Sequence, residues 1–159
     1  MRTGGSTVTD APNPVSPVRG VHLRWEYLLL VFAGGTVGTA LRETLVLLGP
    51  AQLAIPLVTM GINVTGAFLL GALLETLVRR GPDAGRRRGL RVLLGTGVLG
   101  GFTTYSALAT DTGLLLADNN LSAALLYAGG TVLLGALATW LGILGSAALH
   151  RRRPLGSAV

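Results

Sequence analysis

Two groups of polar residues lie inside long apolar stretches of this sequence, and both have a chemistry suited to binding ions. The first is a single asparagine, Asn63, with Thr59 one helical turn before it and Gly66 one turn after it on the same face. A side-chain amide inside a membrane needs hydrogen-bond partners. Asn63 is therefore either a link between helices or a contact for a ligand in a pathway, and its spacing leaves both roles open.

The second group is the run GTGVLGGFTT at residues 95–104, which holds four glycines and three threonines. Glycine destabilises a helix by about 1 kcal/mol relative to alanine, so the adjacent Gly100 and Gly101 favour a break. Broken backbone at membrane depth is tolerated where it is buried in protein or lines a polar cavity, and its freed carbonyls can bind a cation. A kink that serves only helix packing is the alternative.

Other kinds of site find little support. The absence of cysteine excludes thiolate metal sites and cysteine nucleophiles. No Ser/His/Asp set, phosphate-binding loop or metal-binding cluster is evident, and His22 and His150 lie at the edges of apolar stretches, so an enzyme is not expected. Proton-coupled transporters usually need a central carboxylate, whereas Glu75 and Asp111 lie away from the centres of their stretches.

Long apolar segments must position these residues. Half of the chain is hydrophobic and only 13% is charged, against about 25% in a soluble domain, and the mean hydropathy is +0.60. A membrane span needs about 20 apolar residues. Four spans are predicted, at about 26–48, 53–78, 91–117 and 121–148, with a turn at residues 49–52. The fold class is therefore an all-α integral membrane protein of four transmembrane helices with a break in the third.

The thirteen basic residues, all arginine, predict the topology. Twelve of them lie before the first span, between spans two and three, or after span four, and Arg42 alone lies on the other side of the membrane. Cytoplasmic segments accumulate arginine, so both termini are expected in the cytoplasm. We predict a membrane domain at 25–149 between a disordered basic tail at 1–24 and a basic tail at 150–159. The net charge of +6 therefore does not indicate nucleic-acid binding.

Small residues four positions apart predict close helix packing. The pairs are Gly34 and Gly38 in span one and Gly97 and Gly101 in span three; Thr131, Gly135 and Thr139 repeat the spacing in span four. Small residues at this spacing let helix backbones approach closely in lipid. We expect a tightly packed bundle.

In combination, these motifs resemble the Fluc (CrcB) fluoride channels. The motifs that carry the resemblance occur in the family's order: GGxxG at residues 34–38 with Arg42, GxNxxGxFxxG at residues 61–71, GGFTTYS at residues 100–106, YxxxTxxxG at residues 127–135, and WxG at residues 140–142. The resemblance covers residues 26–148. It implies small four-helix subunits that pair antiparallel into dimers with two pores, through which fluoride leaves the cytoplasm of a prokaryote across its plasma membrane.

The resemblance also implies roles for individual residues. Asn63 matches the pore asparagine that donates to fluoride, Thr131 matches the hydroxyl residue of the last helix, and Ser106 matches a polar residue beside the pore. Gly100 and Thr103 match the positions whose backbone carbonyls, from both subunits, hold a central structural sodium ion (Na⁺). Arg42 matches a position near a pore vestibule, where it attracts anions or only extends to the membrane interface.

The sequence departs from the family pattern at two positions. Family members have two phenylalanines whose ring edges line the pore, and this chain has Tyr105 and Leu108 at those positions. An aromatic edge carries partial positive charge and leucine does not. The pore that uses this pair is expected to be impaired, or it belongs to a partner. The arginine asymmetry independently favours a single orientation, and therefore a heterodimer with an inverted paralogue over a homodimer.

Two other hypotheses are a non-conducting subunit that supports a paralogue's pore and a small four-helix drug/proton antiporter. Leu108 favours the first of these. No carboxylate lies near the centre of span one, which argues against the second.

Overall fold

The computed structural model describes residues 25–49 and 56–151, and every regular element in these two ranges is helical. The helices are α1 (Trp25–Leu48), α2 (Leu57–Arg79), α3 (residues 85–102), α4 (Tyr105–Ala117) and α5 (Leu121–Arg151). α3 and α4 together form one span, so four helical segments are long and apolar enough to cross a membrane. The prediction of an all-α protein with four spans is confirmed. The two predicted tails and the turn at 49–52 lie almost wholly outside the described residues.

α3 is built from three pieces. Gly85–Leu90 is α-helical, Arg91–Leu99 is π-helical, and Gly100–Phe102 returns to the α-helical form. The wider π turn is visible at Gly100, whose N–H bonds the carbonyl of Gly95, five residues earlier. The helix begins at Gly85, six residues before the predicted start of the span at residue 91. The prediction followed the apolar stretch, whereas the first turns of the helix carry arginines and lie outside that stretch.

The break in the third span lies at Thr103 and Thr104, not at Gly100 and Gly101 as the glycine pair suggests. Both threonines have extended backbone (φ −78°, ψ 154° and φ −145°, ψ 119°), whereas Gly100 is helical. The helix continues through both glycines, and Gly101 serves close packing. An added Cβ at Gly101 would collide with the carbonyl oxygen of Gly35 on α1.

α1 and α3 pack side by side in the same direction through glycine. A Cβ at Gly97 would lie 2.9 Å from the Cα of Gly34, and one at Gly38 would collide with the carbonyl oxygen of Val98. The hydroxyl of Thr39 donates to the carbonyl of Gly101 across the same contact at 3.4 Å. The close packing that the small-residue spacing predicts for spans one and three is therefore confirmed.

α2 and α5 form a second pair that also runs in one direction. Added Cβ atoms at Gly71 and Gly142 would collide with the carbonyl oxygens of Thr139 and Phe68, respectively. Thr139 also donates to the carbonyl of Ala67 at 3.3 Å. The predicted tight bundle is thus made of two glycine-mediated pairs, and the break lies where the pairs meet.

The two ends of the bundle differ in charge. The arginine-rich end holds the segment at residues 79–91, which joins α2 to α3, and the end of α5 at Arg151. The opposite end holds Arg42 and the short turn between α4 and α5. In that turn Asn119 has a positive φ of 57°, and Asn120 caps α5 by accepting from the N–H of Ala123 at 3.1 Å.

Candidate ion pathway at the helix break

Asn63 of α2 holds the break through both of its amide atoms. Its Nδ2 donates to the carbonyl of Thr104 at 3.0 Å, and its Oδ1 accepts from the N–H of Thr104 at 2.8 Å. The opposite orientation of the amide would set two donors against each other, so the network determines which atom is nitrogen. Asn63 therefore links two helices, as one of the two hypotheses requires. Since an NH₂ group has two hydrogens, one N–H of Asn63 remains for a further acceptor.

Thr104 starts the next helix. Its Oγ1 accepts from the N–H of Ala107 at 3.2 Å, which caps α4, and lies 3.1 Å from the Oγ of Ser106. Thr104 is itself buried. A threonine directly before an apolar helix is a common N-cap signal. This signal in the sequence could have located the break at Thr104.

The bond from the N–H of Thr104 to Asn63 and the bond from the N–H of Ala107 to the Thr104 side chain release the carbonyls of Gly100 and Thr103. In an unbroken helix the Gly100 carbonyl would accept from the N–H of Thr104, but that N–H donates to Asn63. In the same way the Thr103 carbonyl would accept from the N–H of Ala107, which donates to the Thr104 side chain. Carbonyl oxygens without helical partners are the type of ligand that suits a hard cation such as Na⁺.

The break also brings opposite helix ends together. The C-terminus of α3, at Phe102, carries partial negative charge, and the N-terminus of α4, at Tyr105, carries partial positive charge. Carbonyl groups at the first end attract a cation, and N–H groups at the second attract an anion. The break therefore places helix ends of opposite partial charge beside each other.

A groove beside the break, here called the Asn63 groove, collects most of the predicted site residues. Six of the eight line it: Asn63, Gly100, Thr103, Tyr105, Leu108 and Thr131. Gly66 makes this possible, because any Cβ there would collide with the Cγ2 of Thr103. Asn63 and Thr131, which are almost 70 positions apart in the sequence, thus line the same groove.

Tyr105 and Leu108 occupy different environments within the groove. Tyr105 is 83% exposed, whereas Leu108 is buried in an apolar cluster with Leu115 and Tyr127. Gly100 is also exposed. The wall formed by Tyr105 and Gly100 is therefore open on the side away from the bundle.

Thr131 is buried, and its hydroxyl donates to the carbonyl of Tyr127 in its own helix at 2.6 Å. In this rotamer its proton is already used. The hydroxyl presents lone pairs to the groove, and it has to rotate before it can donate to an anion.

Arg42 and Ser106, the other two predicted residues, line a second cavity nearer the opposite end, here called the Arg42 cavity. Thr104 lines both cavities and lies between them. Arg42 donates to the carboxylate of Glu43 at 3.0 Å, and Asp111 lines the same cavity. Its positive charge is therefore partly compensated locally.

Asp111 and Tyr127 form a contact that sequence reasoning missed. The hydroxyl of Tyr127 donates to Oδ2 of Asp111 at 2.9 Å and joins α5 to α4. Both residues are polar groups in apolar stretches, which is the signal that marks them. Their separation of 16 positions gives no indication that they meet.

Comparison with known proteins agrees with this architecture. The family model described as CrcB-like protein, Camphor Resistance (CrcB), matches residues 29–143. A protein of Leifsonia xyli subsp. xyli named fluoride-specific ion channel FluC 2 is 52% identical over 133 residues, which is 84% of this chain and 92% of the relative. Fluoride-specific ion channel FluC 1 of Cutibacterium acnes is 44% identical over 112 residues, covering 70% of this chain and 78% of the relative.

A further relative, fluoride-specific ion channel FluC of Caulobacter vibrioides, is 38% identical over 122 residues, or 74% of this chain and 92% of the relative. All three alignments cover more than two thirds of both proteins, and the family model spans all four apolar segments. The chain therefore belongs to the CrcB family.

Proposed function

We propose that the chain is a subunit of a fluoride-specific ion channel that lets fluoride leave the cytoplasm passively and so lowers its toxicity. The observation that carries this proposal is the Asn63 groove, where one free amide N–H and the N-terminus of α4 meet at a helix break in the membrane. The names of the relatives give the ion. Fluoride is small and strongly hydrated, so a pathway has to replace its water with several donors.

The residues have distinct parts in this pathway. Asn63 donates its remaining N–H to the ion while its other bonds hold the break open. Thr131 turns its hydroxyl from Tyr127 to the ion as the ion passes. Thr104 lies between the groove and the Arg42 cavity, where Ser106 and Arg42 receive the ion; the charge of Arg42 is moderated by Glu43.

The functional unit is an antiparallel dimer. Gly100 and Tyr105 are exposed beside the released carbonyls, and irregular backbone at membrane depth does not face lipid. A second subunit therefore covers the open wall of the groove. Its own break would face this one, in keeping with the family resemblance.

The partner is an inverted paralogue. Twelve arginines on one side against one on the other favour a single orientation for every copy of this chain, with both termini in the cytoplasm of a plasma membrane. One orientation cannot supply both halves of an antiparallel pair. The numbers 1 and 2 in the names of two relatives also fit a channel gene that occurs in sets.

A structural Na⁺ ion at the dimer centre fits the donor set. Gly100 and Thr103 of each subunit would hold it through carbonyls that have lost their helical partners, and neutral oxygen ligands suit this hard cation. When bound, the ion would supply positive charge that offsets the negative end of α3. Replacing Na⁺ by N-methylglucamine throughout purification is expected to weaken the dimer, as measured by its dissociation in detergent.

Fluoride efflux from liposomes tests the proposed function. Vesicles loaded with potassium fluoride and holding this chain with its paralogue are expected to release fluoride when a potassium ionophore removes the electrical constraint. Release by this chain alone is expected to be small. Equal release of chloride would contradict the proposal, and so would fluoride release that depends on a proton gradient.

A second candidate function is that of a non-conducting subunit that supports the paralogue's pore. Leu108 favours it, because leucine stands where a ring edge would face the ion and is buried in the apolar cluster. Replacing Asn63 in this chain alone distinguishes the two functions. A conducting role predicts loss of the current carried by this chain's pore, and a supporting role predicts no change.

A further inference from the structure

The arginine-rich end carries a cavity that takes no part in the ion pathway. It lies between the end of α2 and the start of α3, with Leu74, Leu77 and Val78 as an apolar wall and Arg87 and Arg91 on its rim. Arg87 and Arg91 are four residues apart on α3, so they share one face of that helix. The cavity therefore combines an apolar surface with two guanidinium groups and one carboxylate, that of Asp83.

The apolar wall is accessible. Val78 is 74% exposed and Leu74 is 38% exposed, while Leu77 is buried behind them. These residues belong to the last two turns of a membrane-spanning helix, directly before the arginines that mark its end. The arginine-flanked end of a membrane-spanning helix is expected at the level where acyl chains meet headgroups.

The basic side chains are present in excess. Residues 79–91 contain six arginines and one acidic residue, Asp83. Asp83 pairs with Arg91 at 2.7 Å and with Arg88 at 3.7 Å, so a single carboxylate is shared by two guanidinium groups. Charge complementarity at this cavity favours an anionic ligand.

Local backbone geometry places Arg87. The turn after α2 has Gly81 at a φ of +114°, where a Cβ would lie 2.6 Å from a guanidinium nitrogen of Arg87. The same guanidinium donates to the carbonyl of Arg80. The N-cap of α3 is Ala84, whose side chain cannot cap the helix.

We propose that this cavity binds an anionic phospholipid, with its phosphate between Arg87 and Arg91 and an acyl chain against Leu74 and Val78. The apolar wall selects a lipid over free phosphate, and the arginines select an anionic over a zwitterionic headgroup. The proposal does not depend on which ion the channel carries. Lipid binding at this end would help to anchor the single orientation that the arginine count predicts.

Native mass spectrometry of the intact assembly tests the proposal. The protein in detergent is titrated with phosphatidylglycerol or with phosphatidylcholine, and bound lipid is counted. The wild type is expected to prefer phosphatidylglycerol. The double variant Arg87→Gln/Arg91→Gln is expected to lose roughly 30-fold in apparent affinity, since two arginines at about 1 kcal/mol each give that factor.

Matched controls separate a built cavity from diffuse charge. Arg80→Gln/Arg86→Gln removes the same charge from the same segment outside the cavity lining, and it is expected to change the affinity at most a few-fold. Val78→Ser is expected to weaken lipid binding, whereas Leu47→Ser, at an equally exposed residue near the opposite end, is not. Equal losses for the two arginine pairs would overturn the proposal, as would equal binding of both lipids or displacement by inorganic phosphate.

Discussion

Replacing Asn63 by aspartate tests the pathway at the residue that both holds the helix break and lines the groove. Aspartate keeps the oxygen that accepts from the N–H of Thr104, but it loses the donation to the Thr104 carbonyl and sets a second oxygen against it. The variant also lacks the remaining N–H that we assign to fluoride. The change thus removes a donor and adds a negative charge in one step.

The expected effect is large. At a separation of about 4 Å and an effective dielectric constant of 20, a carboxylate repels a fluoride ion by about 4 kcal/mol. This corresponds to roughly a thousandfold lower occupancy of the site. Fluoride efflux from liposomes through this chain's pore is therefore expected to fall below detection.

Asn120→Asp is the matched control, because it makes the same chemical change at an exposed cap outside both cavities. Aspartate caps a helix as well as asparagine does, so α5 keeps its bond to the N–H of Ala123. Fluoride flux of this variant is expected to equal that of the wild type. Gel filtration and circular dichroism establish that both variants fold. Equal flux through folded Asn63→Asp and Asn120→Asp would refute the assignment of Asn63 to the pathway.

Three further predictions use the same preparations. Thr131→Val is expected to reduce fluoride flux about fivefold to tenfold, because a hydrogen bond of about 1 kcal/mol to the ion is lost. Thr36→Val is the control and leaves flux unchanged, since the exposed Thr36 hydroxyl bonds its own helix. Equal fluxes would exclude the Thr131 hydroxyl from the pathway. Gly38→Ala is expected to destabilise the bundle by about 1–3 kcal/mol in thermal unfolding, whereas Gly129→Ala, which meets no atom within 4 Å, does not; equal midpoints would contradict the packing argument. A reporter fused after Val159 is expected on the cytoplasmic side in essentially every molecule, and a mixed population would indicate dual topology.

Local chemistry accounts for what the sequence predicts correctly about the architecture. The bilayer requires about 20 apolar residues per span, so composition along the chain was enough to find four helices. Glycine at every fourth position was enough to predict close packing at Gly34, Gly38, Gly97 and Gly101, since that spacing places small residues on one helix face. The motifs around Asn63 and Gly100 were enough to name the family.

The position of the break was not predictable in this way. Glycine's intrinsic preference points to Gly100 and Gly101, but the helix continues through both, and Gly101 packs against the backbone of Gly35 on α1. The break falls at Thr103 and Thr104, where Asn63 of another helix replaces the helical bonds. An intrinsic cost of about 1 kcal/mol per glycine is smaller than the sum of these tertiary contacts.

The sequence alone thus determined how many helices cross the membrane, which faces pack closely and where the arginines accumulate, because each of these follows from properties of neighbouring residues along one helix. Only the tertiary structure decided that six of the predicted residues share one groove while Arg42 and Ser106 line another cavity. It alone joined Tyr127 to Asp111 and turned the Thr131 hydroxyl toward its own helix. Such pairings depend on the distance and rotation between helices, which are set by packing across the whole bundle and not by spacing within one segment.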